Sequence, residues 1–542
     1  MTDHQLDFNS PATQQFFLHD ALLAWASRTP DAPAVIESPA AGLLETTTFA
    51  ELEALSNFYA RQLEALGLEI GARVVLEADA TAHSIAMFLG CSKAGLTFVP
   101  VSPAIPSVRL RMVLSSTRPA LHVRAEEIAA VPRIDIDYPD GTGIVRFGPT
   151  SGFSVDSAPE PGVRHRRAHC TTDAAYIIFT SGTTGKPKGV VMSHRAVTSF
   201  YHGMFSHDLA QPTDRIASTP PLHFDFALLN IGLALGSGAA IVPIPQRLVR
   251  WPRHFLRVLA ETEATQVSGV PSIWRPVLRH EPDRVAALPR LRAILYCGEE
   301  FPVPELRRLR ELRAGLRIVN CYGSTESMAC SFYEVPDPLP RHVAHIPIGA
   351  APPGAELLLA DENGAIIDGT GTRGELLLRT PALFTGYWAD PEGTRAALVA
   401  DPLAPESGAQ LLRTGDLAYR GEDGALYLCG RTDAQVQING NRVELAEVEH
   451  RLLEFPAVTT AVVVPDETGT GDAALAAFVI LASGATADPV GLRDFCTATL
   501  PEYMVPSRIS IVDSLPITGN GKVDRGLLSA GAGTEPTGSS RT

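Results

Sequence analysis

Residues 176–190, YIIFTSGTTGKPKGV, constrain this chain more than any other segment. An apolar strand, Tyr176–Thr180, runs straight into a loop holding Gly182, Gly185 and Gly189. The same loop carries the hydroxyls of Ser181, Thr183 and Thr184 and the cations Lys186 and Lys188. Glycines let backbone N–H groups approach an anion closely, hydroxyls add donors, and lysines neutralise charge. A strand that opens into such a loop predicts a polyphosphate cradle. It is not the GxxxxGK[ST] loop, because Pro187 follows Lys186.

The rest of the chain supplies a scaffold for such a strand. Strand-like runs at Arg73–Leu76, Thr97–Val101, Ala239–Pro243, Ala293–Cys297 and Arg317–Tyr322 alternate with helical stretches such as Ala82–Ala94, closed by Gly95. That alternation predicts an α/β fold with layered, largely parallel sheets. After about residue 433 the pattern changes to helix (444–454), strands (461–464 and 474–481), helix (490–500) and strand (508–512). This predicts a small α+β domain. The expected organisation is a core over 1–432, a mobile C-terminal domain over 433–530 and a disordered tail over 531–542. Pro149–Cys170, rich in Gly, Pro, Ser and charge, reads as a flexible connection. The basic run Arg164–Arg167 within it reads as a solvated loop.

Composition excludes several function classes. With 542 residues, 45% hydrophobic, the chain can fill several cores. A net charge of −15 disfavours binding to a nucleic-acid backbone. The longest apolar run, Ala473–Ala482, is too short for a membrane span, and MTDHQLDFNS has neither the basic start nor the apolar core of a secretory signal. Seven cysteines, none in CxxC spacing, argue against a disulfide framework or a thiolate zinc site. Reduced thiols and a cytoplasmic protein are expected.

The loop TSGTTGKPKG resembles the signature of the adenylate-forming superfamily: acyl-CoA synthetases, luciferases and nonribosomal peptide synthetase adenylation domains. Other blocks match in order across roughly residues 20–530. They are Lys93-Ala-Gly95, NCYGSTE at 320–326, Gly374-Glu-Leu, Gly386-Tyr387-Trp388, RTGD at 413–416, GRTD at 430–433 and PITGNGKVDR at 516–525. The resemblance implies ATP and Mg2+ as cofactors. It places ATP against Thr180, Ser181, Gly182, Thr183, Thr184, Lys188, Gly298, Asn320, Tyr322, Gly323, Thr325, Asp416 and Arg431. Tyr322 offers a ring face to adenine, Asp416 accepts from the ribose hydroxyls, and Arg431 donates to the ribose. Glu326 supplies a hard oxygen to the metal. Lys522, Glu326 and Thr183 are the implied catalytic residues. Asp433 is the implied hinge about which the C-terminal domain turns between two half reactions.

The segment Pro221–Leu229, PLHFDFALL, is similar to the FDxS block of amino-acid adenylation domains, with Ala227 in place of Ser. A cationic amine entering a closed pocket needs a carboxylate, and Asp225 supplies one. The carried-over pocket positions are Phe226, Leu229, Ser268, Leu295, Cys297, Cys321, Ala329 and Cys330. None is charged, so the expected substrate is a neutral, small-to-medium amino acid, α or β. Bulky Phe226 shortens the pocket. Gly440 leaves room for the phosphopantetheine arm of a separate carrier protein, because no carrier block follows Arg525. The expected setting is a stand-alone, nonribosomal-peptide-synthetase-like ligase in natural-product or antibiotic biosynthesis. Gln437 and Asn439 stand where Lys and Arg are common in that branch. Two alternatives remain open from sequence: an acyl-CoA synthetase for a non-amino carboxylic acid, and a non-catalytic relative.

Overall fold

The computed structural model describes residues 17–129, 133, 136–162, 165–166, 168–182, 185–433, 435–466, 473–517 and 523–531. Thr183, Thr184, Lys522, Arg164, Arg167 and the expected tail after 531 lie outside the described residues.

The chain divides into two compact units. The larger comprises residues 1–103, 114–179 and 189–432; the smaller comprises 104–113, 180–188 and 433–542. The chain passes from the larger unit into the smaller at Thr432–Asp433.

One eight-stranded sheet orders its strands as Met328–Glu334, Arg317–Ser324, Ala293–Cys297, Gln266–Gly269, Arg215–Ser218, Ala240–Pro243, Pro33–Ala40 and Leu43–Thr48. Its central pairings, from Arg317–Ser324 across to Pro33–Ala40, are parallel. The strand Ala293–Cys297 shows why these runs carry no alternation of polar residues. Leu295 packs in one apolar core, while Ile294 and Tyr296 pack in another. Both faces are covered, as expected for a parallel sheet.

A second eight-stranded sheet contains the Ala174–Thr180 strand beside Thr97–Val101 and Lys188–Ser193. Helix Ala82–Ala94 ends at Gly95 in the left-handed conformation (φ 71°), as its sequence predicts. A five-stranded sheet around Gln410–Arg420 completes the larger unit's sheets among the described residues.

The expected flexible connection after Pro149 requires correction. Gly152–Ser157 is a strand, paired antiparallel to Gly143–Gly148. It lies at the sheet edge and is half-buried to exposed, so hydrophobic alternation never marked it. Farther on, Arg166 stays 41% exposed and pairs with Asp173 at 2.7 Å.

The smaller unit holds a hairpin, Gln435–Ile438 with Asn441–Glu444, then helix Leu445–Leu453. A three-stranded sheet follows, ordered Val458–Asp466, Ala474–Leu481 and Arg508–Ile511. Its own core includes Val443, Val448, Leu452, Val463, Val479, Leu492 and Met504. The hairpin turns on Asn439 and Gly440, both with positive φ (49° and 76°). A two-residue turn with both φ positive matches strand twist, and Asn-Gly is the pair that adopts it with least strain.

Candidate active site

In the larger unit, Asp225 is the first residue of helix Asp225–Ser237, delivered by the loop after strand Arg215–Ser218. That end of a parallel strand is where α/β folds place their ligands. Asp225 is half-buried, and its charge adds to the burial that raises the Tyr176 and Cys321 pKa values.

Strand register brings the carried-over wall positions together. Ser268 pairs with Leu295, Cys297 with Cys321, and Gly323 with Ala329. Leu229, Leu295, Cys321, Ala329 and Cys330 share one apolar core, with Phe226, Cys297 and Tyr322 packed against it. Ser268 is fully buried and accepts a 3.2 Å hydrogen bond from Gln266. Burial, then the neighbouring Cys297, holds the Cys321 thiol well above its usual pKa; burial does the same for Cys330. Both thiols are therefore neutral.

The hairpin that carries NCYGSTE places the nucleotide candidates. Strands Arg317–Ser324 and Met328–Glu334 are joined through Thr325, Glu326 and Ser327, with Ser327 N–H donating to the Ser324 carbonyl at 3.1 Å. Met328 then takes a left-handed φ of 55°, an uncommon conformation for a long side chain. Asn320 donates to the Pro347 carbonyl at 2.9 Å. The Tyr322 hydroxyl donates to Asp416 Oδ2 at 2.5 Å, and Arg431 donates to Asp416 Oδ1. Strand pairing sets Asp416 directly opposite Arg431. The adenine and ribose candidates, which lie 94 residues apart in sequence at Tyr322 and Asp416, thus form one hydrogen-bonded group. Gly298, with φ 88°, lies just beyond the strand Ala293–Cys297.

Glu326 is 3% exposed. Its Oε1 accepts from the Tyr387 hydroxyl at 2.7 Å, and its carbonyl accepts from Phe384 N–H at 2.8 Å. Tyr387 is a residue whose role sequence reasoning missed, although the Gly386-Tyr387-Trp388 block marked its position. Among the described residues no three His, Cys, Asp or Glu side chains cluster as a metal site. A single buried carboxylate suits Mg2+, which commonly takes one or two carboxylates and completes its shell from phosphate and water.

In the smaller unit the glycine-rich loop is tied down by its own neighbours. Ser181 donates to the Arg442 carbonyl at 2.9 Å and accepts from Glu444 N–H at 3.2 Å. Gly182 N–H donates to Glu447 Oε2 at 2.9 Å, and Arg109 holds Glu447 Oε1 at 2.5 Å. Gly182 has no room for a side chain: an added Cβ would lie 2.0 Å from the Lys186 carbonyl oxygen. Thr180 and Lys188 are half-buried. Asp433 is exposed and accepts from Gln435 N–H at 3.2 Å, closing a short turn at the start of the hairpin strand.

This chain belongs to the AMP-binding enzyme family. Residues 22–388 match the AMP-binding enzyme domain and residues 447–522 match the AMP-binding enzyme C-terminal domain. The chain is 30% identical over 521 residues to the L-proline–[L-prolyl-carrier protein] ligase of Pseudomonas fluorescens, covering 94% of this chain and 98% of that protein. It is 32% identical over 490 residues to a dimodular nonribosomal peptide synthase of Bacillus subtilis, where the match covers 89% of this chain but only 20% of that much longer protein. The crystal structure of IdnL1 superposes with a TM-score of 0.84 at 48% identity, covering 94% of this chain and 100% of that one. No described helix is long and apolar enough to cross a membrane.

Proposed function

We propose that this enzyme activates a neutral, small-to-medium amino acid, α or β, as its aminoacyl adenylate. It then loads that acyl group onto the phosphopantetheine thiol of a separate carrier protein. The observation that carries the reading is the placement of Asp225 at the head of its helix, beside wall residues without charge. An ammonium group leaving water needs a carboxylate partner, and an uncharged wall offers nothing to a second charge. The proline ligase, nearly all of whose length is matched, acts on an amino acid and a carrier protein by its name.

The substrate carboxylate is already ionised at neutral pH and needs no base. Its oxygen attacks the α-phosphorus of ATP; the bond to the bridging oxygen breaks and pyrophosphate leaves. Tyr322, Asp416 and Arg431 position adenosine, and the glycine-rich loop with Lys522 neutralises the phosphoryl oxygens. Glu326, oriented by Tyr387, would hold Mg2+, which supplies further charge neutralisation when bound. In the second step the carrier thiol sulfur bonds to the acyl carbonyl carbon, AMP departs with its oxygen, and the thiol proton passes to solvent. Residues 433–530 act as the mobile domain, turning about Asp433, with Gly440 beside the pantetheine route. The free state of all seven cysteines supports a cytoplasmic setting.

An ATP–pyrophosphate exchange screen with α-amino, β-amino and amine-free acids tests this reading. Exchange is expected with a neutral amino acid. Exchange only with amine-free acids would make the chain an acyl-CoA synthetase instead.

A further inference from the structure

Residues 245–292 invert the charge of the chain. They hold nine arginines, no lysine and four carboxylates, in a protein whose net charge is −15. Part of this charge is gathered on one built feature. Helix Pro252–Glu261 buries Phe255, Leu256, Val258 and Leu259 and turns Arg253 outward. Arg253 and Arg284 both bind Glu281, at 2.5 and 3.0 Å, with side chains 75% and 56% exposed. Two guanidinium groups share one carboxylate, so this trio carries a net positive charge, with exposed Asp283 next to Arg284 in the chain. Trp251 precedes the helix and is 64% exposed, the only aromatic among the exposed large hydrophobic side chains of the described residues. Tryptophan and arginine are the side chains most enriched at the energetic centres of protein interfaces.

The location ties this surface to the substrate end of the fold. The short helix Gln246–Val249 follows strand Ala240–Pro243, and Gln246 donates through its amide to the Thr219 carbonyl. Thr219 begins the loop that leads to Asp225. The hairpin tip, by contrast, exposes uncharged Gln437 and Asn439.

We propose that Trp251, Arg253 and Arg284 form the docking surface for an acidic face of the carrier protein. The inference rests on the carrier-loading reading above. Charge complementarity selects the partner: a positive patch on an otherwise acidic enzyme attracts an acidic protein surface and raises its encounter rate. Trp251 then supplies the apolar contact that a guanidinium pair lacks.

The test uses the full enzyme, a panel of phosphopantetheinylated single-domain carrier proteins with acidic surfaces, and free pantetheine. Trp251→Ala, Arg253→Glu with Arg284→Glu, and Arg253→Lys with Arg284→Lys are compared with wild type. Amino-acid-dependent exchange and transfer to free pantetheine should stay near wild type in all of them. Carrier loading should fall about tenfold or more in kcat/KM for Trp251→Ala and the double Glu variant, through KM, and be largely kept by the double Lys variant. Wild-type loading should weaken as salt is raised. Unchanged loading in Trp251→Ala and in the double Glu variant overturns the docking surface. So does loading that is unchanged in Trp251→Ala while that substitution dissolves a dimer in light scattering, which would make the patch an interface between copies. If the double Glu variant loses exchange, Trp251→Ala decides alone. Wild-type exchange with no carrier in the panel loaded would instead sink the carrier-loading reading, and the docking surface with it.

Discussion

The hydroxyl of Tyr322 donates to the carboxylate of Asp416 at 2.5 Å, and Arg431 grips the other oxygen of the same carboxylate. The aspartate is held from both sides, so its orientation is fixed by the protein itself, as its proposed role toward the ribose hydroxyls would require. Tyr322→Phe keeps the ring and removes the donor. We expect the KM for ATP to rise roughly fivefold, worth about 1 kcal/mol, with the amino-acid KM little changed. Tyr322→Ala should be worse, because the ring face goes too. Exchange kinetics with ATP and amino acid varied separately would check this, and an equal rise in both KM values would contradict it.

Asp225→Ala should abolish amino-acid activation while leaving ATP binding intact. An ammonium buried without its carboxylate loses about 3 kcal/mol or more, roughly a hundredfold in kcat/KM. The measurement pairs exchange with equilibrium binding of a fluorescent ATP analogue. Wild-type exchange in this variant would remove the argument for an amino-acid substrate.

Lys522→Ala should suppress adenylate formation far more than thiol transfer from a preformed adenylate, because its proposed role is confined to the first half reaction. Single-turnover assays of the two steps distinguish them. Equal losses, with circular dichroism unchanged, would mean that the lysine serves both.

Gly440→Asn and Asp433→Pro should keep most of the exchange activity and lose carrier loading. Asparagine tolerates the left-handed backbone that the hairpin turn requires, so folding is spared while the proposed pantetheine route would narrow. Proline fixes φ and removes a donor at the proposed hinge. Normal loading by Gly440→Asn would place the thiol route elsewhere.

Stability should fall on mild acidification. His194 is buried and His19 half-buried, both near His169, and desolvation foremost lowers the pKa of each to about 3. Between pH 6.5 and 3 the unfolded chain therefore binds protons that the folded chain excludes, and stability drops as pH falls through that window. The slope is about 1 kcal/mol per pH unit for each histidine. Glu37 acts in the opposite sense. Burial raises its pKa to about 7, so its contribution is present below pH 4.5 and is lost as pH rises to 7. Melting temperatures followed from pH 7 to pH 5 should fall in wild type and fall less steeply in His194→Gln.

Much of this fold can be read from local pattern. Helix 82–94 and strand 97–101 have the bounds that their apolar runs and Gly95 suggest, because buried elements announce themselves by composition. Strand 152–157 escapes that reading because an edge strand with little burial carries no such signal. The ordered motifs located the candidate residues but not their partners. Tyr387 meets Glu326 across 61 residues, and Glu447 meets Gly182 across 265, contacts that only tertiary folding creates. Asn439-Gly440 is a different case: the turn signal lies in the dipeptide itself, and Gly440 is first of all a hairpin residue.

The paired strands place Cys297 beside Cys321, with Cys330 in the same core, and as the proposed pocket wall they would set three thiols near an acyl phosphate anhydride once the proposed reaction has run. Such an anhydride acylates thiolates readily, and an enzyme that labelled its own pocket wall would inactivate itself. Burial answers this for Cys321 and Cys330 by raising the proton affinity of both sulfurs, which leaves them poor nucleophiles. Under the proposed reaction, the exclusion of water that buries Cys321 and Cys330 would therefore also protect those two sulfurs from the enzyme's own intermediate, and favour transfer of the activated acyl group to a thiol that arrives from outside.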